Sequence, residues 1–160
     1  MAAEEPITGF AAAVVREDGR WRCSFLDPAA LGELDATITE LRKLRSQGAL
    51  FAMLAVDEEF FVLVRPGPRG PSLLLSDAAA GLDYDIAADV LDLLRADPPD
   101  ADDESVWPEG DLEIIADLGM PGAELELIVD EVDLYPDEQL QMIAQRCGFA
   151  EEFAALLDEP

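Results

Sequence analysis

The chain carries the sequence LFAMLAVDEEFFVLV at residues 50–64. Two apolar runs, Leu50–Val56 and Phe60–Val64, are separated there by only three acidic residues, Asp57-Glu58-Glu59. A third run, Leu73–Leu75, follows the turn-rich segment RPGPRGP. Connections this short join antiparallel neighbours, because parallel strands need a crossover of about a dozen residues or more. The region therefore predicts an antiparallel meander.

Two further strands are predicted on the N-terminal side of this meander. Phe10–Val15 is a nearly continuous apolar run, and Asp18-Gly19 after it favours the left-handed turn of a tight hairpin. In the return strand, Trp21–Phe25, apolar and polar side chains alternate. That alternation indicates one buried face and one solvated face.

Helices are predicted on either side of the meander. Leucine and isoleucine recur at helical spacing between Leu31 and Leu44, and Gly48 ends this stripe. A second helix is expected from about Asp83 to Arg95. The resulting order ββαβββα predicts an α+β fold in which helices cover a five-stranded antiparallel sheet. Profilin-like, longin and roadblock-type domains share this order of elements, and we assign residues 1–95 to such a sheet domain.

Beyond the sheet domain the composition changes twice. Residues 96–110 (ADPPDADDESVWPEG) are rich in proline and acids, which predicts an extended linker. Residues 111–160 contain short apolar stripes and are expected to form a helical C-terminal region. Within it, Tyr135-Pro136 has the features of a helix start, with proline in the first turn and acids beside it. Gly148 is the expected cap at the end of that helix.

The charge of the chain is strongly negative and unevenly distributed. The formal net charge is −26 over 160 residues, and histidine is absent. Residues 1–95 hold 9 basic and 16 acidic groups, whereas residues 96–160 hold Arg146 against 20 acidic groups. Such a surface repels nucleic acid and anionic membranes and attracts basic proteins. We therefore expect a basic protein partner and no direct binding to nucleic acid or membrane.

The sequence shows no sign of export. The N-terminus lacks a positively charged leader, and no apolar run approaches the length of a membrane span. Cys23 and Cys147 lie far apart and outside any C-x-x-C motif, which favours two reduced thiols. The chain is therefore expected in the cytoplasm.

The residue pattern contains no recognisable catalytic or metal-binding motif. A histidine-dependent nucleophile is excluded because the chain has no histidine. Acids of the linker from Asp100 onward partly match an EF-hand loop, but Ser105 stands where glycine is required and Pro108 takes the ninth position. The acid clusters Asp57–Glu59 and Asp130–Asp133 are typical of solvated turns and helix ends. We expect no enzyme activity, no metal and no cofactor.

Two aromatic residues with acidic neighbours are candidate anchors for a basic partner. Trp107 lies in the acidic linker, and packing back onto the nearby helices is the alternative for it. Tyr135 precedes a predicted helix, where a core or staple role is the alternative. The predicted partner-binding residues are Trp107, Asp100, Asp102, Asp103, Glu104, Asp133 and Tyr135.

Four segments together resemble a known family. They are VDEEFFVLVR (Val56–Arg65), LLLSDAAA (Leu73–Ala80), GDLEIIADLG (Gly110–Gly119) and LYPDEQLQMIAQRCGFAEEF (Leu134–Phe153). In these segments the chain is similar to the tRNA adenosine deaminase-associated proteins of actinobacteria. The resemblance implies association with that deaminase, and none of the segments is a catalytic motif. The H-x-E and P-C-x-x-C motifs with which zinc deaminases activate water are absent from the sequence.

The residues and the resemblance lead to one hypothesis and three alternatives. The chain is expected to be a non-catalytic accessory protein that stabilises or regulates a tRNA adenosine deaminase. The first alternative is a nucleic-acid mimic directed at another basic protein. The second is an enzyme or metal sensor that uses carboxylates. The third is a homodimeric scaffold, as in roadblock-type domains.

Overall fold

The computed structural model describes residues 8–44, 48–97, 107–131 and 133–158. These residues form strands β1 (Gly9–Glu17), β2 (Arg20–Phe25), β3 (Ala49–Val56), β4 (Phe60–Arg65), β5 (Ser72–Leu75) and β6 (Glu109–Gly110). The strands make one antiparallel sheet in the order β2-β1-β3-β4-β5-β6. The predicted α+β class is confirmed, and β3, β4 and β5 form the predicted meander.

The prediction of five strands is wrong, because the sheet has six. The sixth, β6, lies inside the range predicted as linker, and its Glu109 and Gly110 oppose Leu75 and Leu74. Gly110 has a φ of 119°, and a Cβ there would overlap the carbonyl oxygen of Leu73. Only glycine fits this close approach of two backbones. A two-residue strand held by backbone pairing leaves no apolar run in the sequence, which is why the pattern missed it.

The β1–β2 hairpin has the tight turn that Asp18-Gly19 predicts. Glu17 opposes Arg20 across the turn, and Asp18 and Gly19 have φ values of 53° and 75°. Two central residues at positive φ give the turn a twist that matches the right-handed twist of the strands it joins.

The helices of the described residues are α1 (Leu34–Lys43), α2 (Asp85–Leu94), α3 (Gly122–Val129), α4 (Pro136–Cys147) and α5 (Ala150–Leu157). Short 3-10 turns precede the first two. In α4, proline occupies the first turn and Gly148 caps the end with a φ of 105°. Both ends of this helix are therefore as the sequence predicts.

The first core lies between one face of the sheet and helices α1 and α2. Along β3, the alternate side chains Ala52, Leu54 and Val56 belong to it. Leu41 of α1 and Val90 of α2 are fully buried in the same cluster. Removal of these apolar side chains from water is the main stabilising contribution of this layer.

The second core lies on the opposite face of the sheet, under helices α3, α4 and α5. The intervening side chains of β3, such as Phe51 and Met53, belong to it, together with Leu140 of α4 and Phe153 of α5. The sheet is therefore covered on both faces. The division of the chain into a sheet domain, a linker and a helical region stays a prediction. Because α3, α4 and α5 share this second core with the strands, we expect that the helical region does not fold alone.

A charged contact joins the sheet to the segment before α3. Arg65, at the end of β4, donates hydrogen bonds to the two carboxylate oxygens of Asp117 at 2.6 and 2.9 Å. It also donates to the carbonyl oxygen of Ile114 at 2.9 Å. The bidentate hydrogen bond from Arg65 lowers the pKa of the Asp117 carboxyl below its ordinary value. This contact fixes the C-terminal region against the edge of the second core.

Cys23 and Cys147 are free and half-buried. Burial raises the pKa of the Cys23 thiol to about 12 and that of the Cys147 thiol to about 11. The thiolate is the reactive form, so we expect both cysteines to react with a chromogenic disulfide at least about a hundredfold more slowly in the native protein than in urea at about pH 8. Equal rates in the two states would contradict the burial of these side chains.

Candidate functional site

Carboxylates from three separate parts of the chain lie at one end of the sheet. This is the end where β3 turns into β4 and where β1 and α4 begin. Helix α2 begins beside it, since the ring of Tyr84 lies 5.0 Å from that of Phe60. We call this region the acidic end, and its carboxylates are Asp57, Glu58, Glu59, Asp83, Asp133, Asp137 and Glu138.

The β3–β4 turn at the centre of the acidic end is strained. Asp57 and Glu58 both have positive φ, 50° and 58°. This left-handed conformation costs an L-residue roughly 1–2 kcal/mol, and glycine adopts it most readily. The N–H of Glu59 donates to the carbonyl oxygen of Val56 at 2.9 Å and closes the turn. The side chains of Glu58 and Glu59 are exposed to solvent.

Asp57 has a structural role in this turn. Its carboxylate accepts hydrogen bonds from the backbone N–H of Thr8 at 2.6 Å and from the Thr8 hydroxyl at 2.9 Å. The bond from the Thr8 backbone is the main reason that the pKa of Asp57 lies below its ordinary value. Burial, a hydrogen bond to Asp57 and the nearby charges of Glu59 and Asp83 raise the pKa of Tyr84 to about 12. Asp57 thus connects the turn to both β1 and the start of α2.

The start of α4 contributes an exposed aromatic ring to the acidic end. Tyr135 immediately precedes the helix and is 56% exposed. The Glu138 carboxylate accepts the N–H of Tyr135 at 3.1 Å. This bond satisfies a donor that a helix start otherwise leaves without an intrahelical partner. The backbone of Tyr135 is held by the helix, while its ring lies outside both cores.

A cleft of about 220 Å³ connects the strained turn to the start of α4. Phe10, Ala55 and Pro136 give it an apolar lining, and the carboxylates of Glu58 and Asp137 stand beside them. The cleft makes the turn and the helix start parts of one continuous surface.

No ion pair among the described residues involves a carboxylate of the acidic end. Their ion pairs join Arg22 to Glu17, Lys43 to Glu40, Arg65 to Asp117 and Arg146 to Glu124. All of these carboxylates lie outside the acidic end. A basic surface that approaches from outside therefore meets little competition for the carboxylates there.

The structure brings together two of the predicted partner-binding residues and separates a third from them. Tyr135 directly precedes α4 at the acidic end, and Asp133 is an exposed residue two positions before it in the chain. Trp107 is half-buried and packs against the first core, on the face of the sheet opposite to the one that α4 covers. Its indole N–H donates to Glu109 at 3.1 Å, and its carbonyl oxygen accepts the N–H of Ala78 at 3.0 Å. Asp100, Asp102, Asp103 and Glu104 lie outside the described residues.

Sequence reasoning missed a second surface feature, an apolar groove between α3 and α4. Its walls are Leu127, which is 67% exposed, and Met142, which is 40% exposed. One signal was present in the sequence, because Leu127 lies off the stripe formed by Leu125 and Ile128. A large apolar residue on the polar side of a short amphipathic helix is unexpected unless it contacts something.

Metal binding and membrane insertion receive no support from the described part of the chain. Within residues 8–44, 48–97, 107–131 and 133–158, no three cysteine, aspartate or glutamate side chains converge as a metal site requires. In the same ranges no helix has the length and apolar character needed to cross a bilayer. Most of the acids that partly match an EF-hand loop lie outside these ranges.

The fold and this end of the sheet define a strongly acidic α+β protein with three layers, in which helices cover both faces of one antiparallel sheet. The chain belongs to the Rv3753c-like tRNA adenosine deaminase-associated protein family, whose model matches residues 9–150. It is 58% identical over 159 residues to Protein Rv3753c of Mycobacterium tuberculosis (strain ATCC 25618 / H37Rv). The aligned region covers 98% of this chain and 91% of that protein. No solved structure matches the chain. The resemblance found in the sequence is confirmed.

Proposed function

We propose that this chain is a non-catalytic accessory protein that binds a tRNA adenosine deaminase through its acidic end. The family description supports association with that enzyme. An enzyme that acts on tRNA must present a basic surface to the phosphates of its substrate. A partner with a net charge of −26 is attracted to such a surface and steered toward it. The proposal places the complex in the cytoplasm.

Binding at this end has a direct consequence for the deaminase. The acidic end and the tRNA phosphates would compete for the same positive charges on the enzyme. The accessory protein would then regulate deamination by controlling access of tRNA, and it would also stabilise the free enzyme by mass action. The two effects are separable, because competition appears in the tRNA dependence of the rate and stabilisation appears in the melting temperature of the enzyme.

The position of Glu58 is the observation that carries the proposal. Glycine at this position would remove the cost of the left-handed conformation, yet the chain has an exposed glutamate there. A tight hairpin turn requires positive φ here, so the notable feature is the glutamate itself, and we attribute its presence to a binding role of the side chain. Glu58 also lies beside the cleft that leads to Asp137 and the start of α4.

Co-purification tests the proposal. The chain is co-expressed with the tRNA adenosine deaminase from the same genome, with a tag on the deaminase only, and the complex is captured at low and at high salt. We expect a complex at low salt that dissociates at high salt, because exposed ionic contacts are screened. Light scattering of the free chain measures whether it is a monomer or a dimer. Absence of a complex at low salt would remove the proposal.

Replacing Glu58 by glycine is expected to separate stability from binding. The free energy of unfolding should rise by about 0.5–1 kcal/mol, because glycine relieves the left-handed strain but adds freedom to the unfolded chain. Affinity for the deaminase should fall, since one carboxylate is lost from the acidic end. Urea unfolding and calorimetric titration measure the two quantities.

Glu59→Gly is the matched control for this substitution. It removes the same charge from the same turn, but Glu59 is not at positive φ. We therefore expect weaker binding together with lower stability. If Glu58→Gly leaves the affinity unchanged, Glu58 is not part of the interface and its strain has another origin.

A further inference from the structure

The groove between α3 and α4 has the properties of a docking surface. It has a volume of about 420 Å³, and the buried side chains Met120 and Ile128 form its base. Its walls are Leu127 and Met142, and Leu127 is the most exposed large apolar side chain of the described residues. Two exposed apolar side chains that flank the same groove make it a candidate contact surface for another molecule.

We infer that this groove receives a basic amphipathic helix of the partner, an inference that rests on the proposed function. Helices dock into apolar grooves through side chains at positions i, i+3, i+4 and i+7. Methionine suits such a site because its flexible thioether adapts to the shape of the incoming side chains. The groove of this chain has methionine both in its wall, at Met142, and at its base, at Met120.

The charge around the groove selects a basic occupant. Asp130, the residue that caps the end of α3, lies three positions after Leu127, and Glu138 precedes Met142 by one turn of α4. Arg146 also lies at the groove, where its guanidinium bonds the Glu124 carboxylate at 2.5 and 3.1 Å. Arg146 is the only basic residue between positions 96 and 160. Lysines and arginines that flank the apolar stripe of a docked helix would therefore meet carboxylates on both walls.

The groove is continuous with the acidic end. Seven residues, about two helical turns, separate Tyr135 from Met142, so both lie along the same side of α4. Glu138 lies between them on that side. A helix seated in the groove would thus extend the contact made at the acidic end, and the two surfaces would form one interface.

Two other occupants fit the groove less well. A second copy of the chain would bring another net charge of −26 against these carboxylates, which opposes association. A small molecule is usually enclosed by its site, whereas the walls of this groove are open to solvent at Leu127 (67% exposed) and at Met142 (40% exposed).

The test removes the apolar walls of the groove without removing charge. Leu127→Ala/Met142→Ala truncates two exposed side chains and should leave the fold intact. Leu93→Ala is the control, because it truncates an exposed leucine on α2 that belongs neither to the groove nor to the acidic end. Each protein is titrated with the intact deaminase and with a synthetic helical peptide of about 18 residues that has leucines at i, i+3, i+4 and i+7 and lysines elsewhere.

We expect the groove variant to bind both probes about tenfold to a hundredfold more weakly, and the control to change by less than about twofold. If the deaminase binds the native chain and the groove variant equally, the groove inference is overturned and the proposed function stands. If the deaminase fails to bind but the peptide still requires Leu127 and Met142, the proposed function fails and the chemistry of the groove is supported. A native dimer that the groove variant converts to a monomer would overturn the inference in favour of self-association.

Discussion

Replacing Phe149 by alanine is expected to lower the free energy of unfolding by about 3–5 kcal/mol, because it opens a cavity in the second core. Phe149 is fully buried between α4 and α5. Its ring lies 4.8 Å from that of Trp21 on β2 and 6.1 Å from that of Phe51 on β3. The loss would be a large fraction of the stability of a domain of this size.

The same substitution tests whether the C-terminal helices fold together with the sheet. Since Phe149 contacts strands as well as helices, its loss should destabilise the whole molecule in one transition. Urea unfolding followed by tryptophan fluorescence and by circular dichroism should give coincident curves. Leu93→Ala, on an exposed position of α2, is the control and should change stability by less than about 0.5 kcal/mol. Two separate transitions, with only the helical one shifted, would show instead that residues 1–95 fold on their own.

Most of the sheet could be predicted from the sequence because local chemistry determines it. The three acidic residues between two apolar runs specify antiparallel neighbours without reference to the rest of the chain. Asp18-Gly19 does the same for the two N-terminal strands. The start of α4 at Pro136 is likewise a local signal. These elements are where the patterns place them.

The layers and the site could not be predicted in the same way. The apolar stripes of residues 111–160 indicate helices, but nothing in a stripe identifies the face of the sheet that will cover it. The sixth strand forms where the backbone of Gly110 comes close to that of Leu73, and only the assembled sheet brings these two residues together. The acidic end combines Glu58 with Asp137, residues far apart in the sequence, through the antiparallel path of the strands. For Trp107 the sequence left two alternatives open, an anchor for a partner or packing back onto the protein, and its ring packs against the first core.

Neutralising the acidic end is expected to have the largest effect on binding. In Glu58→Gln/Glu59→Gln/Asp133→Asn, three exposed carboxylates are replaced by amides of nearly the same size. Affinity for the deaminase at low salt should fall by about tenfold to a hundredfold, mainly through a slower association rate. Stopped-flow mixing measures that rate directly.

The control for this variant removes three exposed charges elsewhere. Asp18→Asn/Asp92→Asn/Glu151→Gln changes the net charge by the same amount, and asparagine tolerates the left-handed conformation at position 18. We expect its association rate to change by less than about threefold, because only the overall charge is altered. Equal losses in the two variants would show that net charge drives association, with no special role for the acidic end.

Hydrogen–deuterium exchange of the chain, alone and with an excess of the deaminase, tests the central claim most directly. Exchange reports where a partner shields the backbone, so it locates the interface without any substitution. We predict protection in the turn at 56–60, around the start of α2 at 83–86, and along 124–146 in α3 and α4. Protection confined to the β1–β2 hairpin and the end of α2, with the acidic end unchanged, would contradict the account.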